Sequence, residues 1–310
     1  MSTVLITHPA CLDHFMGPHH PESPHRLRAV LAALDGPDFS ALLRENAREA
    51  TLKELSRAHP EEYVNEILAI RPAPGQGVAL DADTIMSAGS AEAALRAAGG
   101  ACAAVDAVLS GRADTAFAAI RPPGHHAEPD RAMGFCLFNN AAIAALHARA
   151  SWGLQRIAVL DFDVHHGNGT QTMFSGDANL FYASSHQSPC YPGTGHAREQ
   201  GVAGNIVNAP LPPGTDSAAF RAAWTQIILP ALAAFAPELI IISAGFDAHV
   251  ADPLAQLNVQ TADYAWLTSE ILRIADTHAK GRVASVLEGG YDLAALADAA
   301  AAHVRALMRT

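Results

Sequence analysis

Cysteine is scarce in this chain. The four present, Cys11, Cys102, Cys136 and Cys190, are widely spaced and form no CxxC pair. That argues against a disulfide framework and for a reducing compartment. Positive charge is also short. Lys and Arg total 20 against 31 Asp and Glu, for a net charge of −11. Such a balance gives no general attraction to nucleic acid or to an anionic membrane, and it mildly favours cationic partners. Aromatic residues make up only 6%, so Ala, Leu, Ile and Val must fill the core. No apolar run approaches the ~20 residues of a membrane span. The opening MSTVLITHPA lacks the basic region and long apolar stretch of a signal peptide. A cytoplasmic location is expected.

What is present is an alternation of two patterns. Short apolar runs read as strands at Val4 to Ile6, Thr115 to Ile120, Ile157 to Leu160, Leu180 to Ala183, Leu239 to Ser243 and Val283 to Leu287. Ala/Leu-rich runs read as helices at Pro24 to Leu34, Ser90 to Leu109, Asn140 to Ala150, Ser217 to Phe235, Thr261 to His278 and Leu293 to Met308. Ser90 and Ser217 are candidate N-caps. The alternation predicts an α/β fold with a parallel sheet covered on both faces. There is no internal repeat. The Pro/Gly-rich stretch at 71–77 reads as a surface loop, so residues 1–310 are expected to form one domain.

The chemistry is concentrated where strands end. Ile157 to Leu160 runs into Asp161, Asp163, His165 and His166, followed by Gly167 and Gly169. Desolvating that much charge is costly unless something compensates it, and a divalent metal does so cheaply. Four other strands are similarly loaded. Thr115 to Ile120 leads into Arg121, Gly124, His125 and His126. Leu180 to Ala183 leads into Ser184, Ser185 and His186. Leu239 to Ser243 leads into Asp247, and Val283 to Leu287 into Glu288, Gly289, Gly290 and Tyr291. In open α/β sheets the ligand site lies beyond the carboxyl ends of the strands, so these residues should share one pocket.

Asp163 and His165, two apart on an extended segment, project to the same side. Asp247 is the best third ligand. Three ligands leave a position open, as catalytic zinc requires. His125 and His126 suit acid and base roles, and Tyr291 suits an oxyanion donor. Together these predict metal-assisted hydrolysis of an amide-like bond. Each residue also has a plainer reading. The ligand trio could be a salt-bridged cluster, the two histidines loop residues, and Tyr291 a packing residue. His186 and His249 are candidate neighbours of the site. Arg26 reads either as a buried arginine beside an internal cavity or as half of a simple ion pair with Glu22.

The segments RPPGHHAEPDRAMGFCLFNN, LDFDVHHGNGTQ, YPGTG, ISAGFDAHVADPLAQL and LEGGYDL closely resemble the zinc-dependent histone deacetylase family, most fully its class II and bacterial branch. The resemblance runs from about Pro18 to the C-terminal helix. It implies an arginase/deacetylase-like fold with a central, mostly parallel sheet of about eight strands. It implies one Zn2+ on Asp163, His165 and Asp247, and catalytic roles for His125, His126 and Tyr291. His126 would be the general base, and Asp161 would orient His125. Gly134, Phe135 and Tyr191 resemble the walls of an acyl-lysine tunnel, and Asp83 a rim residue that binds substrate backbone. A structural K+ is implied on Asp161, Ser184 and the carbonyls of Asp163 and His165. Asn168 stands where class I enzymes place an aspartate, as is usual in the class II branch.

The implied substrates are acyl-lysine peptides or proteins, or acetylated polyamines, with hydroxamates as inhibitors. Leu254 stands where a polyamine-selective relative carries a glutamate, which tilts the reading toward acyl-lysine. A binuclear manganese hydrolase would need a further carboxylate at position 167, which is Gly. A regulatory protein with a relic site would have lost Tyr291 or a zinc ligand, and all are present. Whether the chain forms a homo-oligomer is left open.

Overall fold

The computed structural model describes residues 2–309. Ten strands are β1 (Thr3–Thr7), β2 (Leu43–Asn46), β3 (Val78–Ala79), β4 (Ile85–Met86), β5 (Thr115–Ala118), β6 (Ile157–Asp161), β7 (Leu180–Gln187), β8 (Ile206–Leu211), β9 (Leu239–Ala244) and β10 (Val283–Leu287). Eight of them form one sheet in the order β2-β1-β5-β10-β9-β6-β7-β8. Every pairing in it is parallel, so the expected mostly parallel sheet is wholly so. β3 and β4 form a separate antiparallel pair.

The helices are α1 (Pro24–Leu34), α2 (Leu52–Leu55), α3 (Glu61–Ala69), α4 (Ser90–Leu109), α5 (Asn140–Trp152), α6 (Asn168–Phe174), α7 (Ser217–Ala223), α8 (Leu229–Phe235), α9 (Thr261–His278) and α10 (Leu293–Met308). The central strands carry no polar alternation, because helices cover both faces. β5, β6, β9 and β10 are buried at every position, as parallel sheets demand.

Several local expectations need correction. Ser90 is the first residue of α4 and not its cap, which is Gly89. The Ser90 hydroxyl instead meets His14 Nδ1 at 2.7 Å. Asp216, not Ser217, caps α7, its carboxylate accepting from the Ala219 amide. The helix expected over Ser217 to Phe235 is interrupted by a π turn at Trp224–Ile228, just before Pro230, whose ring nitrogen cannot donate. By length and composition alone that stretch could cross a membrane. Phe220, Trp224, Ile228 and Leu232 are nonetheless buried in the core, as in a packed amphipathic helix.

Register puts the chemistry in line. Asp161 pairs with Ser184 of β7 and Ser243 of β9, and Leu287 pairs with Ala244. The carboxyl ends of β6, β7, β9 and β10 therefore finish side by side, and the loops that leave them open onto a common space.

Candidate active site

The floor of that space is built by the loops after β6 and β9. Asp163, His165 and Asp247 are buried, and one ligand atom from each lies within 4.8 Å of the others. His165 Nδ1 is 3.2 Å from Asp163 Oδ1 and 3.0 Å from Asp247 Oδ2. Backbone amides orient the carboxylates. His165 N–H donates to Asp163 Oδ1, Gly289 N–H to Asp163 Oδ2 and Val164 N–H to Asp247 Oδ1.

Glycine is required at the floor. A Cβ on Gly245 would lie 2.0 Å from Asp163 Oδ2, and one on Gly289 2.4 Å from Asp247 Oδ2. Burial and the neighbouring Asp163 push the Asp247 carboxyl up to about 7. Burial would lower the His165 pKa, but its bonds to Asp163 and Asp247 raise it well above the usual value. Among the described residues, the two buried carboxylates thus have only histidines for positive partners. That donor set fits a divalent cation with one position left open.

The tandem histidines follow β5. His125 Nδ1 meets Asp161 Oδ2 at 2.9 Å, and His125 Nε2 lies 3.8 Å from Asp163 Oδ2. Burial opposes its protonation, yet Asp163 and Asp161 outweigh burial and push it up to about 10. His126 shifts the other way, held well below its usual value by burial and by His125 and His165. Two adjacent imidazoles whose pKa values are driven apart can divide acid and base work. The Asn168 Nδ2 group donates to Glu128 Oε1 at 2.5 Å, which turns Asn168 Oδ1 toward His126 Nδ1 at 2.8 Å. Nδ1 therefore carries the proton and Nε2 the lone pair.

A cavity of about 200 Å³ is lined by Asp83, His126, Gly134, Phe135, His165, Tyr191, Leu254 and Tyr291. All of the expected wall and rim residues converge there. Gly134 packs on His126, where a Cβ would come within 2.4 Å of the ring. The Phe135 ring is edge-on to Tyr291 at 5.9 Å, and Tyr191 is edge-on to His126 at 5.1 Å. Asp83 is half-buried at the mouth, its carbonyl 3.0 Å from His20 Nε2. A larger groove of about 640 Å³ runs past Phe15, Met16 and Ile85, but Asp13 is its one titratable residue.

Other residues resolve as follows. Arg26 is fully buried and pairs with Glu22 at 3.0 Å, which bears out the ion-pair reading. It donates to the Gly290 carbonyl at 2.6 Å and to the Glu288 carbonyl. His186 bonds Ser184 Oγ at 2.9 Å. His166 turns away to Thr194 and Gln171, and His249 bonds Thr261.

Two supporting residues were not assigned a role from sequence. The Glu288 carboxylate accepts from the amides of Gly124 at 2.7 Å and His125 at 3.2 Å, and so anchors the histidine loop. Its place at a loaded strand end was the available signal. Tyr182 donates its hydroxyl to Asp161 at 3.0 Å, and nothing in its local sequence marks it.

The chain matches the histone deacetylase domain family over residues 20–307. It is 40% identical over 303 residues to a histone deacetylase-like amidohydrolase of Pseudomonas aeruginosa, covering 91% of this chain and 79% of that one. It is 39% identical over 299 residues to a probable deacetylase of Archaeoglobus fulgidus, covering 94% and 82%. The solved HD domain of HDA15 superposes with a TM-score of 0.92 at 37% identity, over 99% of this chain and 88% of that one. The loaded strand ends, the buried ligand trio and the tandem histidines thus sit in a chain that belongs to the histone deacetylase family.

Proposed function

We propose that this chain is a zinc-dependent amidohydrolase that removes acetyl or other short acyl groups from lysine side chains. The observation that carries the reading is the trio Asp163, His165 and Asp247, its ligand atoms within 4.8 Å of one another, with His165 opening onto a narrow cavity walled by Phe135, Tyr191 and Leu254. A zinc ion held by the trio would supply Lewis acidity toward the substrate carbonyl and toward water.

The residues of the chain do the rest. Phe135, Tyr191, Gly134 and Leu254 clasp the aliphatic stem, and Asp83 at the rim accepts from a substrate amide. His126, neutral with its Nε2 lone pair free, takes a proton from the attacking water. Tyr291 donates its hydroxyl to the oxyanion that forms on the acyl carbon. His125, held by Asp161, balances the developing charge. The C–N bond then breaks as the histidine pair returns the proton to the lysine nitrogen, the new acid gives its remaining proton to the amine, and a carboxylate and a lysine ammonium leave. Asp161, Ser184 and the carbonyls of Asp163 and His165 are proposed to hold a structural potassium ion.

Among the lining residues, Asp83 is the one carboxylate, and Leu254 is apolar where a distal ammonium would need a partner. That favours an acyl-lysine peptide over an acetylated polyamine. The test compares kcat/KM for an acetyl-lysine peptide and for acetylputrescine, each with and without a hydroxamate. The expected result is at least a tenfold preference for the peptide, abolished by the hydroxamate. A preference for acetylputrescine would overturn the substrate assignment. No turnover of either by zinc-loaded protein would overturn the chemistry.

A further inference from the structure

We propose that Asp252 is a positioning residue whose carboxylate ties the catalytic tyrosine to the tunnel wall. The inference rests on the reading of Tyr291 given above. Asp252 is 7% exposed and lies in the loop after β9. Its Oδ2 accepts the backbone N–H of Tyr291 at 2.6 Å and, more weakly, that of Asp292 at 3.4 Å. Its Oδ1 accepts the backbone N–H of Leu254 at 3.0 Å. A simple turn at Asp252-Pro253 would account for the Leu254 bond alone, since an Asp side chain commonly bonds the amide two residues on. It does not account for Oδ2, which reaches 39 positions along the chain to the tyrosine.

The segment it holds needs holding. Tyr291 follows Gly289 and Gly290, the latter at φ +122°. It precedes the α10 cap Asp292, whose own carboxylate is spent on the Ala295 amide. The Tyr291 amide therefore lies outside the helix and takes its bond from Asp252. On the other side, Arg26 grips the Glu288 and Gly290 carbonyls and stacks 4.9 Å from the Tyr291 ring. Arg26 and Asp252 thus hold the loop from opposite chemical ends, one by its carbonyls and one by its amides. Leu254 and Tyr291 line the same cavity, so one side chain sets both the wall and the hydroxyl. A displacement of about 1 Å in such a group can cost on the order of 100-fold in rate.

Asparagine is the test substitution, because its shape is the same but one oxygen becomes a donor. Whichever way the amide turns, either the Tyr291 or the Leu254 bond is lost. Asp252→Asn, Tyr291→Phe and the double variant would be assayed on an acetyl-lysine peptide, with zinc content and thermal midpoint measured for each. Asp252→Asn is expected to lower kcat by about 10- to 100-fold with zinc retained. In the Tyr291→Phe background the same change should lower kcat by less than about twofold, because a lost position cannot be lost twice. A glutamate at 252 should not restore the rate, as its longer stem cannot meet both amides. Unchanged kcat in Asp252→Asn, an equal fold-loss in both backgrounds, or loss of zinc would each overturn the inference. Unchanged kcat in Tyr291→Phe would instead overturn the role of the tyrosine itself, so the two failures are distinguishable.

Discussion

Among the described residues, two buried clusters hold residue types that bind metals. One is Asp163, His165 and Asp247, and the other is Glu54, Cys102 and His147; in each, ligand atoms lie within 4.8 Å of one another. They differ in what neutralises them. Among the described residues, Asp163 and Asp247 ion-pair with histidines only. Glu54 is gripped by Arg48 through both oxygens, at 2.9 and 2.6 Å, and it also closes a capping box on Thr51. Asp106 takes His147 Nε2 at 2.7 Å, and Arg57 lies 3.1 Å from His147 Nδ1. Burial pushes the Cys102 thiol well up, keeping it protonated. The second cluster carries its own cations. Ligand-type residues are thus not enough to make a metal site. The informative property is negative charge that the protein itself leaves uncompensated.

The sharpest way to break the comparison is to remove one histidine from each cluster's neighbourhood. His126→Ala should lower kcat on an acetyl-lysine peptide by about 10²- to 10⁴-fold, the range for a lost general base, while zinc content stays unchanged. His147→Ala should leave kcat within about twofold. Equal losses from both would mean that the second cluster is also functional.

Smaller effects should appear in stability. Arg48→Met removes the cation from Glu54 and should cost about 1–2 kcal/mol, discounted because the arginine is half-exposed. Urea unfolding at pH 7 would read it. The contribution is acid-sensitive. Burial would raise the Glu54 pKa, but Arg48 and Thr51 outweigh burial and hold it down at about 2. The unfolded state therefore binds the proton first, and the stabilisation, full above about pH 4.5, fades as pH falls toward 2. The gap between wild type and Glu54→Gln should accordingly narrow between pH 6 and pH 3. A constant gap would count against the Arg48 pairing.

The sequence was most legible where its pattern was strongest. α1, α4, α9 and α10 fall at the expected bounds, because long Ala/Leu periodicity leaves little choice. The edge strands β2 and β8 went unread. LREN is mostly exposed and IVNAPL carries Asn208 and Pro210, so neither resembles the fully buried central strands. α6 begins within the Gly-rich HHGNGT, which looks like loop. His125, His126, Asp163, His165, Asp247 and Tyr291 come together because each lies in the loop that follows a strand of the main sheet. The work of Glu288 and Asp252 is on backbone amides far away in sequence, which no local pattern records.

Metal content tests the central claim most directly. Zinc would be counted per chain in the wild type, His165→Ala and His147→Ala, each purified in the same way and confirmed folded. About one zinc per chain is expected in the wild type and in His147→Ala, and none in His165→Ala. Zinc retained in His165→Ala, or lost with His147→Ala, would contradict the account.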